Sequence, residues 1–379
     1  MAMVCRNILR KMPSINLNYL ESLTDHVGLY QHATFGVPNL DFGYTTDDNC
    51  RALIVVTKYF DLYNEERAIK LARRYLAFLQ WAQREDGYFR NEVSIDRQFL
   101  DEVGSEDAQA RTFWSLASSL NTGISEDLKG AAKQMLERFL PHLFSLHYSR
   151  PWAFALKGLE ELSKNKMLST TIDIQKATLI FGKRLLALYK EQSDENWQWF
   201  EDTMTWGNAL LPSGLFSAYK LTGRKDFLTV ARESFEFLCE KVFEKEMFIP
   251  VGNRGWYHKN GTKPVFDQQP IEAMWMLIAS LEAAEFYNSG ENLERARSAV
   301  EWHFGKNIHR LSLYNPLNGS CADGLTPQGF NANHGAESTI CCLLSMLIAR
   351  EKNLLEFRSP KFTNTKTLLR SLDEPKNLG

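Results

Sequence analysis

Along this chain, helices with a single apolar stripe alternate with helices that are apolar over most of their circumference. Between Glu65 and Gln83, apolar side chains recur at Ala68, Leu71, Ala72, Tyr75 and Leu79, while Arg67, Lys70, Arg73 and Arg74 fall on the other side. That spacing predicts a surface helix with one buried stripe. The pattern returns near 126–147, 170–190, 225–243 and 291–305, and the first 24 residues offer a sixth such helix. By contrast, Ile271 to Phe286 is apolar on nearly every side, and Ser338 to Ala349 carries no charge. Helices of this second kind need neighbours all round. Short links such as Leu62-Tyr63-Asn64 and Leu221-Thr222-Gly223-Arg224 join the two kinds into antiparallel hairpins. Six hairpins closed in a ring give an all-α (α/α)6 toroid, expected as one domain over residues 1–356 followed by a polar tail over 357–379, broken by Pro360 and Pro375. Strand signals are few; Gly87 to Arg90 and Met247 to Val251 suggest short hairpins in the loops.

Each inner helix is preceded by a polar loop. The starts are Thr46-Asp47-Asp48-Asn49, Ser105-Glu106-Asp107, Ser149-Arg150-Pro151-Trp152, Thr205-Trp206-Gly207-Asn208, Phe266-Asp267-Gln268-Gln269-Pro270 and Asn333-His334-Gly335-Ala336-Glu337. Their spacing, 45 to 67 residues, is too irregular for a strict solenoid. In a ring of hairpins every inner helix runs the same way, so all six starts are expected on one face, and the site with them.

Composition narrows the chemistry. With 379 residues, 44% of them hydrophobic, the chain can bury a large core. Its 44 basic and 46 acidic residues nearly balance, and no basic block alternates with aromatics, which argues against nucleic acid. No stretch reaches about 18 uncharged apolar residues, so a cytoplasmic protein without a membrane partner is expected. The six cysteines have neither disulfide-like nor zinc-like spacing and read as packed thiols. His-x-x-x-His, Gly-rich phosphate loops and Gly-x-Ser-x-Gly are missing, so no metal or cofactor is expected.

The polar face suits a sugar, which needs flat apolar surfaces for its C–H faces and many donors and acceptors for its hydroxyls. Trp152, Trp197, Trp199, Trp206, Trp256, Tyr44, Tyr257 and Tyr314 lie in or beside these loops. Amides and imidazoles accompany them at Gln31, His32, Asn49, Asn208, His258, Gln268, Gln269, Asn331, Asn333 and His334. Glycosidic cleavage asks for two carboxyl groups, one protonated and one ionised. Asp47, Asp48, Glu106, Asp107, Glu201, Asp202, Asp267, Glu272 and Glu337 are available. A lone acid at a helix start is ordinarily a cap, stabilised by the helix dipole. The dipole lowers a carboxyl pKa, whereas crowding in a dry cavity raises it, so tandem pairs such as Asp47-Asp48 make a general acid feasible. Arg51, Arg111 and Arg150 would partly neutralise the acids or bind an anionic substrate group.

These residues carry a resemblance. The segments Asp25 to Ala33, Gly43 to Asn49 with Arg51-Ala52-Leu53, Glu102 to Asp107, Trp199 to Asp202, Val251-Gly252-Asn253 with Gly255-Trp256-Tyr257, Phe266 to Ala273 and Asn333 to Thr339 resemble bacterial six-hairpin glycosidase-like proteins. Such proteins occur alone or fused behind group 1 glycosyltransferase domains. Asn208 follows Trp206-Gly207 where that family's pattern has Tyr-Asp-Asn, and His334 stands where Gln is frequent. The resemblance implies the toroid, carbohydrate chemistry on mannose-like oligosaccharides, and a glycosyltransferase as partner. The leading expectation is therefore a glycoside hydrolase in which Asp48, with Asp107 or Glu337, forms the acid and base pair, and Asp267 and Asp202 are further acids. A sugar epimerase or isomerase with bases among His32, His258 and His334, and a noncatalytic glycan-binding partner of a glycosyltransferase, remain open as alternatives.

Overall fold

The computed structural model describes residues 12–165 and 172–358. The first eleven residues of the expected N-terminal outer helix and most of the expected tail, 359–379, lie outside them.

Twelve α-helices are found among the described residues. Six inner helices, α2 (Thr46–Tyr63), α4 (Glu106–Ser119), α6 (Ser149–Ser163), α8 (Leu210–Thr222), α10 (Pro270–Phe286) and α12 (Ala336–Glu351), each pack on the next, and α12 packs back on α2. That last contact closes the ring. Outside them lie α3 (Glu66–Ala82), α5 (Glu126–Phe139), α7 (Ile174–Gln192), α9 (Lys225–Val242) and α11 (Ser289–Trp302). The sixth outer position is held by the short helix α1 (Asn18–Ser22), which touches α12. The expected (α/α)6 toroid is thus the observed fold.

Local chemistry sets the hairpins. Thr45 and Ser105, in extended conformation or close to it, cap α2 and α4 by accepting from the N–H groups of Asp48 and Ala108. The caps are therefore hydroxyls, and the acids that follow them are free for other partners. Pro270 opens α10, where the missing N–H costs nothing. Asn64 and Gly223 end α2 and α8 in the left-handed conformation, letting the chain reverse within a few residues. Among the described residues, strands occur only as two-stranded ladders in loops, including β1 (Ala33–Thr34) with β2 (Val37–Pro38) and β9 (Gly324–Thr326) with β10 (Gly329–Asn331). The expected Met247 hairpin is present as β7 (Met247–Phe248) on β6 (Phe243–Glu244). Phe89 makes a single bridge with Gln83, and its neighbour β4 (Glu92–Val93) pairs instead with β3 (Tyr44–Thr45).

The ring has no open bore through its middle. Trp114, Phe154 and Trp275, from α4, α6 and α10, meet with ring centroids 5.4–5.9 Å apart and fill the axis. Beyond this plug, toward the C-terminal ends of the inner helices, Lys157 is buried between Glu160 and Glu282. Ser213 and Ser217 of α8 donate to Glu282 and Glu160. Burial alone would push the lysine pKa down, but the two carboxylates outweigh it and hold the ammonium firmly charged. Cys50, Cys239, Cys321, Cys341 and Cys342 are buried free thiols.

Replacing Lys157 by Met leaves the buried Glu282 carboxylate without its ion-pair partner and Glu160 with only Lys220, 3.4 Å away. The expected loss is about 3–5 kcal/mol in urea unfolding, as for a broken buried pair. A loss below about 1 kcal/mol, the scale of an exposed pair, would show that water screens this cluster.

Candidate functional site

Arg51 lies on α2 one turn beyond Asp47 and Asp48, so its guanidinium reaches back over both. Its Nη2 is 2.8 Å from Asp48 Oδ1 and 3.3 Å from Asp47 Oδ2, while Nη1 is 3.0 Å from Glu337 Oε2 on α12. Asp107 and Arg111 repeat the same offset on α4, and Arg111 turns across to bind Asp47. Two nearly buried guanidiniums therefore sit among three carboxylates at the seam between the first and last hairpins.

These groups floor a pit at the N-terminal ends of the inner helices. One lobe, about 280 Å³, is lined by Asp47, Asp48, Arg51, Asp267, Asp323 and Glu337, among others. A second, about 310 Å³, is lined by Arg111, Trp206, Asn253, Trp256, Gln269, Ile271 and Glu337. Asn253, Gln269 and Glu337 belong to both, which makes the lobes neighbours. Trp206 forms a wall between two cations, with the Arg111 and Arg150 guanidiniums 4.6 and 5.1 Å from its ring centroid.

The carboxyl groups differ in environment. Asp48 is enclosed, and burial pushes its pKa up to about 7; Arg51 pulls it down, and the charges of Asp47 and Glu337 push it up again. Asp47 is also desolvated, yet Arg111 and Arg51 hold it below the usual carboxylate range. Glu337 is the open member of the group, its side chain 40% exposed. Asp267 stands 3.1 Å from the Arg254 guanidinium. Asp323 has a raised pKa, burial prevailing over the Gly335 N–H, Ser338 and the nearby His32 and His334.

Several expected site residues serve the walls instead. Asp107 lies outside both lobes behind Arg111, with a pKa raised by burial and one oxygen without a partner. Glu106 accepts from the His147 backbone N–H and contacts its ring. Glu201 takes both contacts from Arg150 Nη1 at 3.0 Å and so ties the fourth loop to α6. Asp202 is exposed away from the pit beside Thr203. Glu272 is buried and accepts from the Gly207 and Asn208 N–H groups and the Asn208 amide. Asn49 accepts from Leu29 N–H, and Tyr44 donates to Asp25. Gln268 accepts from the Trp302 indole, and Asn333 from Phe35 N–H.

Among the aromatics, Trp206 and Trp256 line the pit, whereas Trp152 and Trp199 are buried in the packing and Tyr257 stands edge-on to Trp197. The expected row of tryptophan subsites thus reduces to two rings, because the other loops turn their indoles inward. His32 lines the rim, and His334 lies edge-on to Tyr19, its pKa lowered by burial against a smaller pull from Asp323.

Sequence reasoning passed over Asp323, which lies in the long loop before α12 rather than at a helix start. Its Oδ1 accepts from Gly335 N–H at 2.6 Å. Only the Cys-Ala-Asp-Gly turn motif hinted at a structured loop there.

No protein-family model matches the chain, and neither does any curated protein. Solved structures do. A cellobiose 2-epimerase from Spirochaeta thermophila aligns with a TM-score of 0.68 at 13% identity, over 90% of this chain and 94% of that one. A D-mannose isomerase gives 0.68 at 12% identity, over 88% and 94%. A GH76 alpha-mannanase from Bacteroides thetaiotaomicron gives 0.61 at 10% identity, over 89% and 94%. This chain has the six-hairpin glycosidase-like toroid fold. At such identities the likeness extends to fold alone, and the expected glycosyltransferase partner finds no support among these neighbours. No helix among the described residues is long and apolar enough to cross a membrane.

Burial pushes the Glu272 carboxyl up to about 7 against the hydrogen bonds that favour its anion. A group that holds its proton more tightly folded than unfolded makes the protein less stable as pH rises between its two pKa values. Glu272→Gln removes that titration. Its stability relative to wild type is expected to climb between about pH 4.5 and 7 in denaturant unfolding, whereas parallel curves would show that Glu272 is ionised throughout.

Proposed function

We propose that this protein is a glycoside hydrolase acting on short, mannose-containing oligosaccharides. The carrying observation is the contrast between Asp48 and Glu337, two carboxyls on one guanidinium at one cavity. Asp48 has its pKa pushed up to about 7 and so holds a proton near neutrality, while Glu337 faces the open pit. A pair of acids whose surroundings differ in this way divides the work of general acid and base. Asp48 gives its proton to the leaving glycosidic oxygen as the bond from the anomeric carbon breaks. Glu337 either removes a proton from the attacking water or attacks the anomeric carbon itself, and the final products are two shorter sugars with one water consumed. Asp107, the other partner considered from sequence, is left with a positioning role on Arg111. Asp267 and Asp323 crowd the same lobe and, with Gln269 and Asn253, offer acceptors and donors for hydroxyls. Trp206 and Trp256 supply apolar faces for the sugar ring. Among the fold neighbours, the alpha-mannanase supports this reading.

A second reading rests on Asp323 with His32 and His334. These imidazoles flank a carboxyl in the pit wall, and burial favours neutral His334, a form able to take a proton next to a sugar carbonyl. Neighbours named as epimerase and isomerase share the toroid.

Asp48→Asn and Glu337→Gln are each expected to lower sugar release from a mannoside and glucoside panel by about 10²-fold or more. Wild-type kcat/KM is expected to fall above about pH 7 as Asp48 loses its proton. Wild-type turnover in both variants, once folding is verified by circular dichroism, sinks the hydrolase assignment. A free reducing sugar incubated in heavy water separates the readings: deuterium at its second carbon without chain shortening marks epimerisation.

A further inference from the structure

Behind the pit, three residues far apart in sequence converge. His303 caps the C-terminus of α11, Cys321 lies in the long loop that follows, and Cys342 lies on α12. All three are completely buried, and one ligand atom from each lies within 4.8 Å of the others. Neither ring nitrogen of His303 is in the geometry of a full hydrogen bond, and the polar group that faces the ring is the Cys342 thiol. An imidazole in such a place is anomalous, because buried polar nitrogens are almost always satisfied and an orphan points to a missing water or ion.

We infer that His303, Cys321 and Cys342 form a structural site for a thiophilic cation, Zn²⁺ or Cu⁺. The donor set, two sulfurs and one imidazole nitrogen, is what such cations select, and it contains no hard oxygen that would favour Mg²⁺ or Ca²⁺. Ligation at about 2.0–2.3 Å asks for donor separations of roughly 3.3–3.8 Å; the three donors complete a trigonal Cu⁺ site and leave the fourth position of a tetrahedral Zn²⁺ to a water or other small ligand. Binding converts each thiol to a thiolate and releases its proton to solvent, with no change of oxidation state.

The location gives the site a purpose. The loop from 303 to 335 supplies Asp323 and Asn331 to the pit, and it is already pinned by Leu313 N–H donating to the His303 carbonyl and by the Tyr314–Cys321 bridge. A cation held by the outer helix, the loop and the inner helix would fasten all three together. This role is independent of whether the pit hydrolyses or epimerises sugars. Spacing could not reveal it, since intervals of 18 and 21 residues match no compact metal motif.

The test uses the full chain, purified under reducing conditions, stripped with chelator and gel-filtered after incubation with Zn²⁺ or Cu⁺ in separate arms. Elemental analysis is expected to find about one equivalent of one of these ions, and Co²⁺ substitution a thiolate-to-cobalt charge-transfer band. Cys321→Ser and Cys342→Ser, each checked for folding, are expected to abolish both signals, while Cys239→Ser retains them. Rebinding should also raise the thermal midpoint of the wild type and of Cys239→Ser alone. Absence of bound ion and cobalt band in the wild type overturns the inference. So does a cobalt band that survives in Cys321→Ser, the loop variant least able to disturb the helical ring, or a Cys321–Cys342 disulfide found by mass analysis in air-purified protein that forms in preference to metal binding.

Discussion

One guanidinium joins the two ends of the ring. Arg51 on α2 binds Asp47 and Asp48 on its own helix and Glu337 on α12, 286 residues away, at the seam where the toroid closes. An arginine so deeply buried needs carboxylates around it, and carboxylates so crowded need a cation. Each requirement limits the other. With Arg111 bound to Asp47 as well, two positive charges are shared among three acids, and the acid with the least solvent, Asp48, is the one whose pKa burial pushes up to about 7. The chemistry proposed for the pit follows from that competition.

The rest of the toroid keeps this charge at one end. Parallel inner helices point their N-terminal dipoles toward the pit, which favours the anions there. Trp114, Phe154 and Trp275 pack together on the axis below, between the pit and the Lys157 cluster at the far end. Hydroxyl caps on α2 and α4 matter here too. Because Thr45 satisfies the first N–H groups of α2, Asp47 and Asp48 are released to the arginines.

The long loop before α12 completes the wall. It brings Asp323 beside the first lobe, holds the turn into α12 through the Gly335 N–H, and rests on the buried His303, Cys321 and Cys342. The part of the site most remote from any helix start is thus anchored from beneath by residues that never touch the cavity. A structural cation there would act on the pit only by fixing the path of this loop.

Sequence alone determined the six hairpins, because the 3.6-residue apolar period, the capping hydroxyls, Pro270 and the left-handed turns at Asn64 and Gly223 are local signals. It also located Asp47, Asp48, Arg51, Arg111, Trp206, Asp267, Gln269 and Glu337 at helix starts and Trp256 in the loop leading to one, and a ring of parallel inner helices gathers starts on one face. What it could not determine was which side of each loop faces inward. Trp152 and Trp199 pack away from the pit, Glu201 and the buried Glu272 anchor the fourth loop, and Asp323 arrives from a loop interior. Tertiary structure decided these, since the facing of a loop side chain depends on partners distant in sequence. It likewise decided which carboxyl has its pKa raised and which lowered, because that depends on how several charges divide the little water available to them.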